Sequence, residues 1–161
     1  MSPRGVRVFV LHGVNLDQLG RRDPSHYGTL TLDQLERTIT GYADTLGLRV
    51  QFFQTNHEGE FVEQLHRSRE MADALILNPG AWTHYSWAIR DALEIAGLPA
   101  VEIHLSDVKA REEWRQHSVL RDLCIATVSG MGPAGYRDAL ERIREALDIR
   151  QQAEAASRET H

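Results

Sequence analysis

A chain of 161 residues, 42% of them hydrophobic, has the length of one domain and enough apolar side chains for a substantial core without disulfides or metal. Its formal charge of −5, from 18 basic and 23 acidic residues, argues against a general nucleic-acid binder, which needs a basic face to neutralise phosphates. The single cysteine, Cys124, permits no internal disulfide and suits a reducing compartment; with neither a signal-peptide pattern nor a run of roughly 20 apolar residues, the expected location is the cytoplasm.

In chain order, the first element is RVFVLH (7–12), a β-rich and nearly continuously apolar run of the kind that forms a strand buried on both faces. The connection that follows, residues 13–30, far exceeds the usual length of about 2 to 6 residues. It begins within HGVNLDQLGRRDPSHYG, and its paired arginines and tyrosine point to a lid or binding loop rather than a solvated excursion. A helix over 31–46 opens at a capping box, Thr31 with Gln34, and stops at Gly47. Next come a strand RVQFFQ (49–54), a helix over 58–71, a strand ALILN (74–78), a helix over 84–96 and a strand AVEIH (100–104). A helix over 110–117, a strand LCIATV (123–128) and a helix over 133–150 with Pro133 in its first turn complete the pattern. Tyr136, Leu140, Ile143 and Leu147 recur at helical spacing and read as core. Residues 151–161, QQAEAASRETH, lack an apolar face and read as a flexible, frayed tail behind a single domain over 1–150. Strands alternating with helices predict an α/β fold, a flavodoxin-like, doubly wound five-stranded parallel sheet in a single domain.

In such a sheet, ligands bind at the carboxyl ends of the strands. Leaving those ends are His12, Asn15, Arg21, Arg22 and Tyr27; then Asn56, His57 and Glu58; then NPGAWTH from Asn78; then Glu102, His104 and Ser106. Each alone is weak, since asparagine and histidine also serve turns and caps; their concentration at one edge carries the argument. Arg111 and Arg115 follow one helical turn apart on the predicted 110–117 helix.

Several constellations are missing. His57-Glu58 starts a zinc-helix pattern, but Phe61 stands where the second histidine belongs. There is no phosphate-binding loop of the glycine-lysine type, no dinucleotide glycine fingerprint and no serine nucleophile elbow. Lys109, the sole lysine, lies on a polar stretch ill suited to a Schiff base. What remains is acid-base chemistry with no cofactor and no metal.

Taken in order and spacing, HGVNLDQLGRRDPSHYG, TNHEGEFVEQLH, NPGAWTHYSWAIRDAL and VEIHLSDVKAREEWRQHSVL resemble type II 3-dehydroquinate dehydratase, over about residues 6–147. The resemblance implies anti elimination of water from 3-dehydroquinate through an enolate, without a cofactor, in the shikimate or quinate pathway. It implies Tyr27 as the base, Arg22 as the loop residue that activates it, and Asn15 as the holder of a water against the enolate oxygen. His104 becomes the acid for the departing hydroxyl, oriented by Glu102. Asn78, His84 and Arg115 would hold substrate hydroxyls, and the backbone at Leu105 and Ser106 the carboxylate. Asp91 would reach a neighbouring subunit's site, because the family forms trimers that assemble into dodecamers.

Physical chemistry supports this division of labour. A free phenol ionises near pH 10, so a tyrosine base needs a cation beside it; one charge about 4 Å away at an effective dielectric of about 20 contributes roughly 4 kcal/mol. Arginine suits that task because it does not give up its own proton. The chain departs from the family's usual NGPNLN at His12 and Val14, and from SNVHARE at Asp107 and Lys109. His12 and Val14 are where altered substrate preference would be sought first, and Asp107 adds a negative charge next to the expected carboxylate pocket. Two other readings stay open: the same elimination on an amino-substituted dehydroquinate, and a non-catalytic binding protein on this fold, which would lack part of the chemical set.

Overall fold

In the computed structural model, which describes residues 5–160, the apolar runs pair as an all-parallel sheet of β1 (Arg7–His12), β2 (Arg49–Gln54), β3 (Ala74–Asn78), β4 (Ala100–His104) and β5 (Ala126–Ser129). The strand order is β2-β1-β3-β4-β5. The order reverses between β1 and β3, so a crevice opens beyond their carboxyl ends, the position at which doubly wound sheets bind ligands. Helices α1 (Pro24–Tyr27), α2 (Leu32–Thr45), α3 (Glu58–Met71), α4 (Trp87–Ala96) and α5 (Ala134–Glu159) connect and cover the strands.

Strand alternation divides the core. Val8, Val10, Ile76, Val101 and Ile103 pack with Leu35 and Ile39 of α2 and Tyr136, Leu140 and Ile143 of α5. Phe9, Leu11, Leu75 and Leu77 pack on the opposite side with Phe61 and Leu65 of α3 and Ile89 and Leu93 of α4. Each such side chain contributes about 1.5–3 kcal/mol by leaving water. The capping box that opens α2 is complete: Thr31 Oγ1 accepts from Gln34 N–H (3.2 Å) and Gln34 Oε1 from Thr31 N–H (3.1 Å).

Four stretches differ from the sequence reading. The fifth strand begins at Ala126, after a 3₁₀ turn at Arg121–Leu123; Leu123 and Cys124 pack against the α3/α4 side before the ladder starts. The expected helix over 84–96 begins only at Trp87, because Ser86 Oγ accepts from Ile89 N–H and fixes the start there, behind a separate 3₁₀ turn at Gly80–His84. The expected helix over 110–117 is two 3₁₀ turns, Val108–Ala110 and Glu113–Gln116, with Arg111 extended between them. Asp107 closes the first by accepting from Lys109 N–H, so Arg111 and Arg115 do not share a helical face. At the other end, α5 runs on through residues 151–159, a stretch rich in alanine, glutamine, glutamate and arginine, whose straight chains and small side chains favour helix even where every residue is exposed.

Candidate active site

The two loops at the switch point lie in direct backbone contact. A Cβ at Gly13 would stand 2.4 Å from the Pro79 carbonyl oxygen, and one at Gly80, whose φ is 63°, would stand 2.6 Å from the Val14 carbonyl oxygen. Only glycine permits that approach. Gly13 N–H donates to the Asn78 carbonyl (2.7 Å), and Gln54 from the end of β2 donates to the Gly13 carbonyl (3.2 Å). Asn15 itself takes the left-handed conformation, φ 67°, and its N–H donates to Asn56 Oδ1 at 2.8 Å. Asn15 and Asn78 therefore reach the crevice from a root pinned by three strand ends.

A cavity of about 110 Å³ lies there, and its lining includes Asn15, Arg22, Tyr27, Asn78, His84 and His104 together with Leu105, Ser106, Arg111 and Arg115. Val14, Leu16, Ala81 and Val108 supply apolar wall. Of the residues singled out in sequence, Glu102 sits directly behind the cavity and Asp91 lies outside it, exposed on α4.

Tyr27 ends α1, a single helical turn that Pro24 starts and Asp23 caps by accepting from Ser25 N–H. Two guanidinium groups meet it. Arg22 lies over the ring face, Cζ 3.8 Å from the centroid, while Arg111 Nη1 donates to the phenol oxygen. Arg111 is thus the cation on the oxygen itself; Arg22, expected in that role, stacks on the ring. Reading the sequence did not give Arg111 a part, because a helix was expected there and its link to Tyr27 is tertiary.

On the other side of the cavity, His104 and Glu102 end β4. The Glu102 carboxylate is 1% exposed and accepts from His104 Nε2 (2.6 Å), Thr83 Oγ1 (2.8 Å) and Ser118 Oγ (2.6 Å). Burial pushes its pKa up, yet the hydrogen bond and charge of His104, with the two hydroxyl donors, outweigh it and hold the group below the ordinary carboxylate value. Glu102 is therefore an anion in a dry site, and it leaves Nδ1 of His104 as the ring's other nitrogen. Thr83 and Ser118 had no signal in sequence beyond lying beside named residues.

His84 Nδ1 donates to the His117 carbonyl at 2.6 Å, so Nε2 is its free acceptor. Burial, then the charges of His104 and Arg115, depress its pKa against the opposing pull of that carbonyl. The ring stacks on His104 with centroids 6.5 Å apart. Arg115 Nε donates to Glu112 Oε2 at 2.7 Å. Asn78 Oδ1 accepts from Gly80 N–H at 3.2 Å, and the carbonyls of Leu105 and Ser106 accept from Gly132 and Gly130.

The departures from the family pattern separate. Val14 lines the cavity, whereas His12 is fully buried on the α2 side, stacked on Phe52 at 5.9 Å with Nε2 3.3 Å from Glu36 Oε1. Strand alternation puts it there with Val8 and Val10, so it is not a rim residue. Asp107 is engaged in its own turn and does not line the cavity.

Among the described residues no helix is long and apolar enough to cross a membrane, and no group of three His, Cys, Asp or Glu side chains could hold a metal ion. The family model described as Dehydroquinase class II matches residues 6–144. A 3-dehydroquinate dehydratase of Pelobacter propionicus is 48% identical over 147 residues, covering 91% of this chain and 99% of the relative. One of Thermotoga neapolitana is 48% identical over 140 residues, covering 87% and 95%. The crystal structure of type II dehydroquinase from Propionibacterium acnes superposes with a TM-score of 0.82 at 40% identity, covering 88% of this chain and 98% of that one. With a match over nearly the whole sheet-and-helix unit and this arrangement of residues at the switch point, the chain belongs to the class II dehydroquinase family.

Proposed function

We propose that the chain dehydrates 3-dehydroquinate to 3-dehydroshikimate by anti elimination, with Tyr27 and His104 working from opposite sides of the cavity. The observation that supports this best is the pairing of Tyr27 with Arg111 and Arg22 on one side and of His104 with Glu102 on the other. The two guanidinium groups, one on the ring face and one on the oxygen, stabilise a phenolate by charge at short range. That phenolate takes the proton from the carbon beside the ketone; the electron pair passes to the carbonyl oxygen as an enolate. A water held by Asn15 donates to that oxygen. As the enolate collapses, the bond to the leaving hydroxyl breaks and Nδ1 of His104 delivers a proton to it, releasing water. The Glu102 anion holds the imidazole and offsets its positive charge before transfer, much as a carboxylate does in other acid-base dyads. Tyr27 then returns its proton and His104 regains one, so the balance is one water per turnover.

His84 Nε2, Asn78 and Arg115 hold hydroxyls, and the backbone N–H groups of Leu105 and Ser106 take the carboxylate. The residue set belongs to one domain working in the cytoplasm as a homo-oligomer of trimers in which Asp91 of one copy reaches a neighbour's cavity; Asp91→Asn then lowers turnover although the residue is outside its own chain's cavity. The test of the main reading is direct. Purified protein mixed with 3-dehydroquinate generates the ultraviolet absorbance of a conjugated enone; no absorbance at micromolar enzyme overturns it.

A further inference from the structure

Two of the hydroxyl-holding side chains share a support that is not itself in the cavity. Trp114 sits in the 3₁₀ turn Glu113–Gln116 with about half its surface exposed. The Arg115 guanidinium lies over its ring, Cζ 4.1 Å from the centroid, and the His84 ring meets it edge-on, centroids 5.1 Å apart at 84°.

Exposure of a lone tryptophan calls for no explanation; the double contact does. Arg115 and His84 each have one polar anchor, Glu112 Oε2 for Arg115 Nε and the His117 carbonyl for His84 Nδ1. A single hydrogen bond fixes a distance and leaves rotation about it. The indole face removes that rotation for the guanidinium, setting the direction of its two remaining nitrogens. For His84, the edge-on indole and the stacked His104 ring together confine the imidazole plane, and with it the direction of Nε2.

We infer that Trp114 is a positioning residue for substrate binding: it orients Arg115 and His84 together toward the substrate hydroxyls without touching the reacting atoms. This rests on the reading of Arg115 and His84 as hydroxyl holders.

The experiment compares Trp114→Ala and Trp114→Phe with the unaltered protein. Trp114→Ala raises KM for 3-dehydroquinate about five- to ten-fold while kcat stays within about two-fold, the pattern of lost uniform binding. Trp114→Phe, which keeps an aromatic face, recovers most of that loss. An unchanged KM in the alanine variant, a kcat loss larger than the KM rise, or a phenylalanine variant no better than alanine overturns the inference. A second readout does not need turnover. The proton NMR titration of the His84 ring moves toward that of a solvated imidazole in Trp114→Ala, since burial is the largest influence depressing it, and stays near its original position in Trp114→Phe. The other groups facing that ring, His104, Arg115 and Glu102, are retained in both variants. A His84 titration that does not move also overturns the inference. If the unaltered protein does not turn over 3-dehydroquinate, the proposed function fails, and the NMR readout alone decides the role of Trp114.

Discussion

Arg111 donates a hydrogen bond to the hydroxyl of Tyr27, a residue 84 positions earlier in the chain. The phenol and this guanidinium thus come from different loops, one leaving β1 and one leaving β4, so their contact requires the first loop to lie over the cavity.

Arg111 and Arg22 are therefore unequal. Arg111→Gln removes the charge on the oxygen and lowers kcat about 10²- to 10³-fold at pH 7, since a few kcal/mol of charge stabilisation are lost. Arg22→Gln, which removes a charge over the ring face rather than at the oxygen, costs less. Steady-state kinetics of both variants across pH check the ranking; a larger loss for Arg22→Gln reverses the assignment.

Tyr27→Phe retains less than about a tenth of the rate and still binds substrate analogues, because the base acts in the transition state rather than in binding. Calorimetric binding beside kinetic measurement separates the two.

Glu102 couples activity to stability. His104→Ala lowers kcat about 10²- to 10⁴-fold through loss of the acid. Glu102→Ala does the same and also strips His104 of its acceptor and leaves Thr83 and Ser118 only each other, a cost of about 1–3 kcal/mol for each buried polar group left unpaired. The folded carboxylate titrates below the ordinary value of 4.5. Its contribution to stability is present above that value and is lost as pH falls through the folded one. Acid unfolding curves of Glu102→Gln are shallower in this range than those of the unaltered protein.

Thr31→Ala tests the local reading of α2. Loss of the capping box costs about 1 kcal/mol, a few degrees in Tm, with kinetics unchanged.

The sheet, its strand boundaries up to β4, the helices α2 and α3 and the cavity residues Asn15, Arg22, Tyr27, Asn78, His84 and His104 were legible because each depends on local signals: apolar runs, a capping box, a crowd of polar residues at strand ends. The stretch after β4 was not. Arg111 and Arg115 are spaced as on a helix, yet Asp107 and Glu112 engage the backbone and side chains nearby and divide the segment into short turns. His12 misled for a different reason: its place at the end of a strand suggested the rim, while its even position on β1 buried it against α2 and Phe52. The helix over 151–159 was hidden by the absence of an apolar face, which speaks to packing and not to backbone propensity.

The backbone contact of Gly13 with Pro79 and of Gly80 with Val14 has a mechanical meaning. The first loop is clamped at its base and fixed again where Leu16 and Leu19 pack into the core, so any rearrangement of it is confined to the residues beyond Leu19. An alanine at Gly13 would wedge the clamp open, whereas a change beyond Gly20 leaves the clamp itself untouched. The close backbone approach at the root of this loop therefore admits no side chain at Gly13 or Gly80.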